Sequence, residues 1–128
     1  MGSPRYDAGC KLPSHDWFSV NIPVWEKYLA DLLSKDILAL EIGSYEGRSA
    51  VWILHNSTPE SILYCVDTWD GKDPSLGNRT IDAEACFDYN IAPYCSGVIG
   101  RVEKVKKRSV EALSRFILSR MQFDLIYV

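Results

Sequence analysis

The sequence feature that most constrains the fold is an apolar run that ends at a glycine. Residues Ile37–Ile42 are nearly all apolar, and Gly43 follows them directly. A strand that is covered on both faces has such an unbroken run, whereas a strand with one wet face alternates apolar and polar residues. The run therefore predicts a strand buried on both faces of a sheet.

Three further apolar runs alternate with patterns typical of helices. The runs span 61–66, 101–105 and 123–128, and residues 49–54 after the first run have the pattern of a helix. Alternating strands and helices predict parallel strands joined by right-handed crossovers. The order β-α-β-(loop, helix)-β-α-β therefore predicts an α/β fold with a doubly wound parallel sheet.

Two more helices are expected from the apolar spacing. One starts near Pro23 and covers one face of the sheet. Its apolar stripe comprises Val24, Trp25, Tyr28, Leu29 and Leu32. The other is a crossover helix with Ser109 as its expected N-cap. Its expected buried face comprises Val110, Leu113, Ile117 and Met121. Between the second and third runs, residues 69–78 contain Gly71, Pro74 and Gly77, which is typical of a loop.

Size and charge limit the classes of protein to which the chain can belong. Its 128 residues suffice for one domain. Fourteen Lys and Arg against 17 Asp and Glu give a net charge of −3, which offers no general attraction to nucleic acid or to anionic membranes. The basic run at 101–108 is interrupted by Glu103, which favours a solvated surface over an RNA site. No run approaches the roughly 20 apolar residues of a membrane-spanning helix, and we expect a cytoplasmic location.

The cysteines and histidines give no metal signature. No C-x-x-C pair is present, so we expect reduced thiols, surface histidines and no metal site. The residues concerned are Cys10, Cys65, Cys86, Cys95, His15 and His55. Among the tryptophans, Trp25 and Trp52 are expected in the core. Trp17 is expected to pack under the first helix, with a lid over a ligand as the alternative, and Trp69 is open between a core and a stacking role.

The turn after the first strand is the place to look for a ligand, because ligands of such sheets bind beyond the carboxyl ends of the strands. Gly43 and Gly47 can adopt positive φ and allow a ligand close to the backbone. The helix that follows offers unpaired N–H groups to a carboxylate. The turn is therefore suited to close contact with a ligand.

The spacing of the turn argues against a dinucleotide. It reads G-x-x-x-G rather than G-x-G-x-x-G, and Glu41 before it would repel a pyrophosphate but tolerate a sulfonium or an ammonium. Asp67 follows the second strand, where an acid can bind both hydroxyls of a ribose. We expect the carboxylates of Glu41 and Asp67 to converge on a single cavity that holds an adenosyl ligand carrying an amino acid. A nicotinamide-binding Rossmann domain is the disfavoured alternative.

These residues carry a specific resemblance. The segment E-I-G-S-Y-E-G-R-S-A-V at 41–51 resembles the first motif of class I S-adenosylmethionine-dependent methyltransferases, in the form found in catechol-type O-methyltransferases. The segments C-V-D-T-W-D-G at 65–71 and F-D-Y-N-I at 87–91 are similar to a bacterial and viral branch of that superfamily. The resemblance covers 16–128 as the S-adenosylmethionine-binding half of the domain, and residues 1–15 are left as an N-terminal tail.

The resemblance implies a role for each of ten residues. At the methionine end, Glu41 and Gly43 shape the pocket, Tyr45 and Gly47 line it, Ser49 hydrogen-bonds the carboxylate of the cofactor, and Ser44 is a further cofactor-binding residue. Asp67 would hold the ribose, Thr68 and Trp69 would pack against the adenosine, and Ser109 would meet the adenine edge. The implied fold is the Rossmann-like class I methyltransferase fold, truncated after the fourth strand.

The resemblance also implies that the family's fold extends beyond the fourth strand. Members of the family continue with an acidic residue and further strands, in the sheet order 3-2-1-4-5-7-6. In catechol-type relatives that region supplies the metal ligands, the catalytic base and most substrate contacts. We therefore name no catalytic residue, and a divalent metal is an option only for the intact protein. The free edge of the fourth strand predicts a homo-oligomer, unless the chain is a fragment of a longer protein.

The expected function is the S-adenosylmethionine-binding part of a methyltransferase. In the intact protein, the resemblance implies O-methylation of a small-molecule acceptor, with S-adenosylhomocysteine as the product. The alternative is a non-catalytic binding or assembly module that keeps the fold without the chemistry.

Overall fold

The computed structural model describes residues 5–70, 82–97 and 100–128. Within them, four parallel strands form one sheet in the order β3-β2-β1-β4. The strands are β1 (Leu38–Ile42), β2 (Ile62–Asp67), β3 (Val102–Lys106) and β4 (Leu125–Tyr127). The helices are α1 (Ile22–Leu33), α2 (Arg48–Asn56), α3 (Ala83–Ile91) and α4 (Ser109–Leu118). The predicted α/β doubly wound sheet is confirmed, as is the 3-2-1-4 part of the implied strand order, with bounds that differ by up to three residues.

β1 is a central strand, as its unbroken apolar run predicts. It pairs with β2 on one side, with Leu38 opposite Ile62, and with β4 on the other, with Ala39 opposite Leu125. Because all strands are parallel, their carboxyl ends lie at one edge of the sheet. Gly43 and Asp67 therefore come together at that edge.

The two faces of the sheet are covered by different helices. Helices α1, α2 and α3 pack on one face, where side chains such as Ala39, Leu63 and Phe87 are buried. Helix α4 packs on the other face against Leu40 and Val66. Six consecutive residues of α2 are buried, Ser49 to Leu54, because this helix lies between the sheet and its neighbours. Within the described part of the chain, none of the helices has the length and apolar character that a bilayer crossing requires.

The predicted buried face of the crossover helix is wrong at three of its four residues; the fourth, Met121, follows the helix and packs against the core. Ala112 and Phe116 are the buried residues of α4, whereas Val110, Leu113 and Ile117 are exposed. The small Ala112 allows the helix to approach the sheet, and the Phe116 ring fills the space against Tyr64 and Phe123, with centroids 5.5 Å and 5.4 Å apart. Both sets have helical spacing, so periodicity alone does not select between them.

Two further local predictions need correction. Ser109 is the first residue of α4 rather than its N-cap, and Arg108 precedes it without a capping side-chain hydrogen bond. In α1, Val24 and Tyr28 are exposed, while the remaining residues of the predicted stripe, Trp25, Leu29 and Leu32, pack against the core. Of the predicted loop at 69–78, the part from Gly71 onward lies outside the described residues.

Candidate functional site

The turn between β1 and α2 has a left-handed backbone at three positions. Gly43 and Gly47 have φ values of +87° and +88°, and Tyr45, which is not a glycine, has φ 49°. The N–H of Gly43 donates to the Val66 carbonyl at 2.8 Å, and the N–H of Gly47 donates to the Ser44 carbonyl at 2.8 Å. The turn is thereby attached to the end of the neighbouring strand.

The two glycines face different surroundings. A Cβ at Gly47 would lie 3.0 Å from Cδ2 of Phe87, whereas a Cβ at Gly43 would meet no atom within 4 Å. Gly47 is therefore required by the packing of α3 on the turn. Gly43 leaves open space above the backbone, which is what a closely bound ligand requires.

Two hollows share Ile42 and Gly43. The first hollow, of about 160 Å³, is lined by Ile42, Gly43, Ser44, Tyr45, Glu46, Arg48 and Ser49 from the turn and its flanks, by His15, Trp17 and Phe18, and by Tyr127 and Val128. The second hollow, of about 200 Å³, is lined by Ile42, Gly43, Val66, Asp67, Thr68, Lys107 and Ser109. The structure thus brings Gly43, Ser44, Tyr45 and Ser49 to the first hollow and Asp67, Thr68 and Ser109 to the second.

The carboxylate of Asp67 connects two loops. One oxygen accepts the backbone N–H of Tyr45 at 2.8 Å, and the other accepts the backbone N–H of Trp69 at 2.9 Å. An ionised carboxylate oxygen accepts two hydrogen bonds, so each oxygen can also receive a ligand hydroxyl. Asp67 can therefore bind a ligand without releasing either loop.

Glu41 lies beneath the turn and has no exposed surface. Its Oε2 accepts a short hydrogen bond from the Ser49 hydroxyl. Burial raises the pKa of Glu41, the Ser49 and Ser44 hydroxyls lower it, and the nearby charge of Asp67 raises it; together they bring it to about 7. Glu41 lines neither hollow, so the expectation that both carboxylates converge on a single cavity is wrong. The strand pleat directs Glu41 toward α2, where it supports the turn from below.

Trp69 supports the turn rather than the second hollow. Its Nε1–H donates to the Tyr45 carbonyl at 2.7 Å, and its ring packs on Phe87 with centroids 4.8 Å apart. The ammonium of Lys104 lies 5.0 Å from the ring centroid. Trp69 lines neither hollow, and the adenosine contact that the resemblance implies for it stays a prediction.

The N-terminal segment contributes His15, Trp17 and Phe18 to the first hollow, and the sequence indicated only Trp17 among them, as the alternative of a lid over a ligand. Trp17 is 57% exposed and lies on the first hollow beside His15, with ring centroids 5.1 Å apart. The expectation that Trp17 packs under the first helix is therefore wrong, and Phe18 is the buried aromatic residue there. Arg48, which also lines the first hollow, pairs with Asp16 at 3.4 Å and with Asp7 at 3.8 Å.

For other residues of the site, the sequence contained little or no indication of a role in binding. Lys107 of the second hollow belongs to the basic run at 101–108, which placed it on a solvated surface. Tyr127 lines the first hollow from β4, a strand that the apolar pattern predicted without indicating where its side chains point. The four cysteines are free thiols, as expected. Across 5–70, 82–97 and 100–128, no group of three or more His, Cys, Asp or Glu side chains could hold a metal ion.

Comparison with protein families is decisive for the identity of the domain. Residues 40–128 match the family described as a methyltransferase domain. The chain belongs to this family. Together with the fold, the match confirms the resemblance to class I S-adenosylmethionine-dependent methyltransferases. No curated protein matches the sequence of this chain.

Solved structures share the fold of this methyltransferase domain. A candidate O-methyltransferase from Klebsiella pneumoniae is 21% identical with a TM-score of 0.62, covering 91% of this chain and 46% of its own. The O-methyltransferase TomG from Streptomyces achromogenes, solved in complex with SAM, is 18% identical with a TM-score of 0.60, covering 90% and 45%. A SAM-dependent methyltransferase from Agrobacterium tumefaciens is 12% identical with a TM-score of 0.61, covering 85% and 31%. The chain spans less than half the length of these proteins.

Proposed function

We propose that the chain binds S-adenosylmethionine across the turn, with the methionine end in the first hollow and the adenosine in the second. In the intact protein, the methyl group is transferred to an oxygen of a small molecule, and S-adenosylhomocysteine is the product. The observation that carries the proposal is the open space above Gly43, which is shared by both hollows.

The first hollow offers partners for the methionine end. The N-cap position of α2 is Gly47, which has no side chain to satisfy the first N–H groups of the helix. These N–H groups and the positive end of the helix dipole suit the carboxylate of the ligand. Arg48 adds a positive charge to the same hollow, and Ser49 lines it.

The second hollow offers partners for the adenosine. Asp67 retains acceptor capacity for ribose hydroxyls on both oxygens while it holds Tyr45 and Trp69. Thr68 and Ser109 lie beside it, after the end of β2 and at the start of α4. The assignments of Thr68 and Ser109 to adenosine stay proposals.

S-adenosylmethionine supplies a methyl group on a positively charged sulfur, so the protein contributes mainly by alignment and by excluding water. Gly43 and Asp67 would fix the ligand on the turn. The rings of Trp17, Phe18 and Tyr127 line the first hollow and would keep water from its mouth. No base is assigned among the described residues.

Isothermal titration calorimetry with S-adenosylhomocysteine tests the proposal. The wild-type chain should bind, Gly43→Ala should bind far more weakly, because its Cβ enters the shared space, and Gly9→Ala should bind as wild type. Gly9 is the matched control: it has the same left-handed backbone, with φ +78°, and a Cβ there also meets no atom within 4 Å, but this glycine lies outside both hollows.

Two variants of Asp67 test the ribose assignment. Asp67→Ala should abolish binding, and Asp67→Asn, which keeps one acceptor oxygen, should weaken it. Equal S-adenosylhomocysteine binding by wild type and Asp67→Ala would contradict the assignment.

The finer expectations about the intact protein stay predictions: a small-molecule acceptor, a cytoplasmic location and an optional divalent metal. No observation in the described residues favours the alternative of a non-catalytic module. The calorimetric test above and an assay of the intact protein for methyl transfer to hydroxyl-bearing small molecules would separate the two functions.

A further inference from the structure

A buried amide on α3 joins three parts of the molecule behind the glycine turn. Asn90 exposes 3% of its surface. Its Oδ1 accepts the backbone N–H of Lys11 at 2.6 Å, and its Nδ2 donates to the Lys11 carbonyl at 2.9 Å and to the Glu46 carbonyl at 2.8 Å. The amide satisfies both backbone groups of Lys11, as a neighbouring strand would, and one carbonyl of the turn. Because a buried polar group is costly without its partners, Asn90 holds all three together.

Helix α3 contacts the turn at a second point. The ring of Phe87 lies against Gly47, so closely that a Cβ there would be 3.0 Å from it. Residues three apart on a helix lie on one face, so Phe87 and Asn90 present the same face of α3 to the turn. This face fixes Glu46 and Gly47, the residues that lead into α2.

The N-terminal strap, residues 11–18, is hydrogen-bonded to the same turn through Ser14. The Ser14 N–H donates to Oε1 of Glu46 at 3.2 Å, and its hydroxyl donates to the Tyr45 hydroxyl at 3.0 Å. The strap then supplies His15, Trp17 and Phe18 to the first hollow. Lys11 and Ser14 are therefore the points at which the wall of the first hollow is attached to α3 and to the turn.

We propose that Asn90 is a positioning residue for S-adenosylmethionine, which holds the turn and the strap in the arrangement that encloses the methionine end. The inference rests on the proposed function. Asn90 lines neither hollow, so it acts through Glu46 and Lys11 and not by contact with the ligand. Without it, the ligand would have to order both the turn and the strap on binding, and affinity would fall.

The first test is the affinity for S-adenosylhomocysteine of folded variants, measured by calorimetry. Asn90→Ala removes the hydrogen bonds from α3 to Lys11 and Glu46, and Ser14→Ala removes the hydrogen bond from the strap to the Tyr45 hydroxyl. Asn56→Ala is the matched control, because among the described residues the Asn56 amide donates to the Trp52 carbonyl of its own helix and to no other part of the fold. We expect about tenfold weaker binding for Asn90→Ala and a change within about twofold for Asn56→Ala. The double variant Ser14→Ala/Asn90→Ala should lose less affinity than the product of the two single fold-losses, because both substitutions weaken the same attachment of the strap.

The second test is hydrogen–deuterium exchange without ligand. In Asn90→Ala, amides of the strap should exchange about tenfold faster, while those of β1 and β2 keep their wild-type rates. If Asn90→Ala does not fold, Asn90→Asp takes its place in both measurements, because it keeps an acceptor for the Lys11 N–H and loses the donor to the Lys11 and Glu46 carbonyls. Affinity within about twofold of wild type in the folded variant, or unchanged exchange in the strap, overturns the role of Asn90. A wild-type chain that fails to bind S-adenosylhomocysteine contradicts the proposed function instead, and the exchange rates still decide whether Asn90 holds the strap.

Discussion

At the scale of single residues, Gly43 and Gly47 share a backbone conformation but not a role. The left-handed backbone costs a residue with a Cβ roughly 1–2 kcal/mol at either position. At Gly47 the contact with Phe87 adds an overpacking cost of roughly 1–3 kcal/mol, whereas at Gly43 the added atom meets open space. We expect urea unfolding to show a larger loss of stability for Gly47→Ala than for Gly43→Ala. Equal losses would contradict the close contact with Phe87.

Glu41 makes stability depend on pH in a predictable direction. Its pKa is raised from 4.5 to about 7 in the folded chain, so between these values the folded state keeps a proton that the unfolded state has released. The free energy of unfolding therefore falls as pH rises from about 4.5 to 7, by up to about 3 kcal/mol, and levels off above.

The difference between wild type and Glu41→Gln isolates this contribution. Urea unfolding should show the variant gaining stability relative to wild type as pH rises from about 4.5 to 7, with no large gain above, while Glu103→Gln, at an exposed position, follows the wild-type curve. Parallel curves for wild type and Glu41→Gln would show that Glu41 does not titrate in this range.

At the scale of elements, the packing of α4 on the sheet predicts which substitutions in this helix change the stability of the fold. Ala112 is fully buried against the sheet, so Ala112→Leu should destabilise the chain by roughly 1–3 kcal/mol. Ile117 is 74% exposed, so Ile117→Ser should change stability by no more than about 0.5 kcal/mol. Denaturant titration of the two variants distinguishes the observed face from the one that the apolar spacing predicts.

Secondary-structure elements were predictable from the sequence where a strand is buried on both faces of the sheet, because such a strand has a continuous apolar run. Elements without such a run were harder to predict. The run before Gly43 predicted β1 because a central strand is mostly apolar on both faces, with Glu41 as the one polar residue of this strand. The strap was not predicted, because its contacts join single residues across the fold, such as Lys11 and Asn90, and leave no periodicity. Trp17 and Trp69 were uncertain for a related reason, since the position of a tryptophan ring depends on partners distant in sequence.

At the scale of the whole molecule, β4 is an edge strand of the described sheet. It pairs with β1 on one side, and Ile126 and Val128 are exposed. Unpaired edge groups can pair with a second chain, so we expect the mean mass of this 128-residue chain in light scattering to rise with concentration. Ile126→Lys, which adds a charge to the edge, should reduce the effect. A constant monomer mass at high concentration would contradict self-association through β4.

The open space above Gly43 separates the requirements of folding from those of a ligand. A related domain that no longer binds the cofactor could have Asn or Asp in place of Gly43, because these residues tolerate the same left-handed backbone and the fold would be preserved. It could not exchange Gly47 so easily, since any added side chain would collide with Phe87. Related chains that have replaced Gly43 but kept Gly47 would therefore be domains that keep the fold without binding the cofactor, whereas chains that keep both glycines would be binding domains.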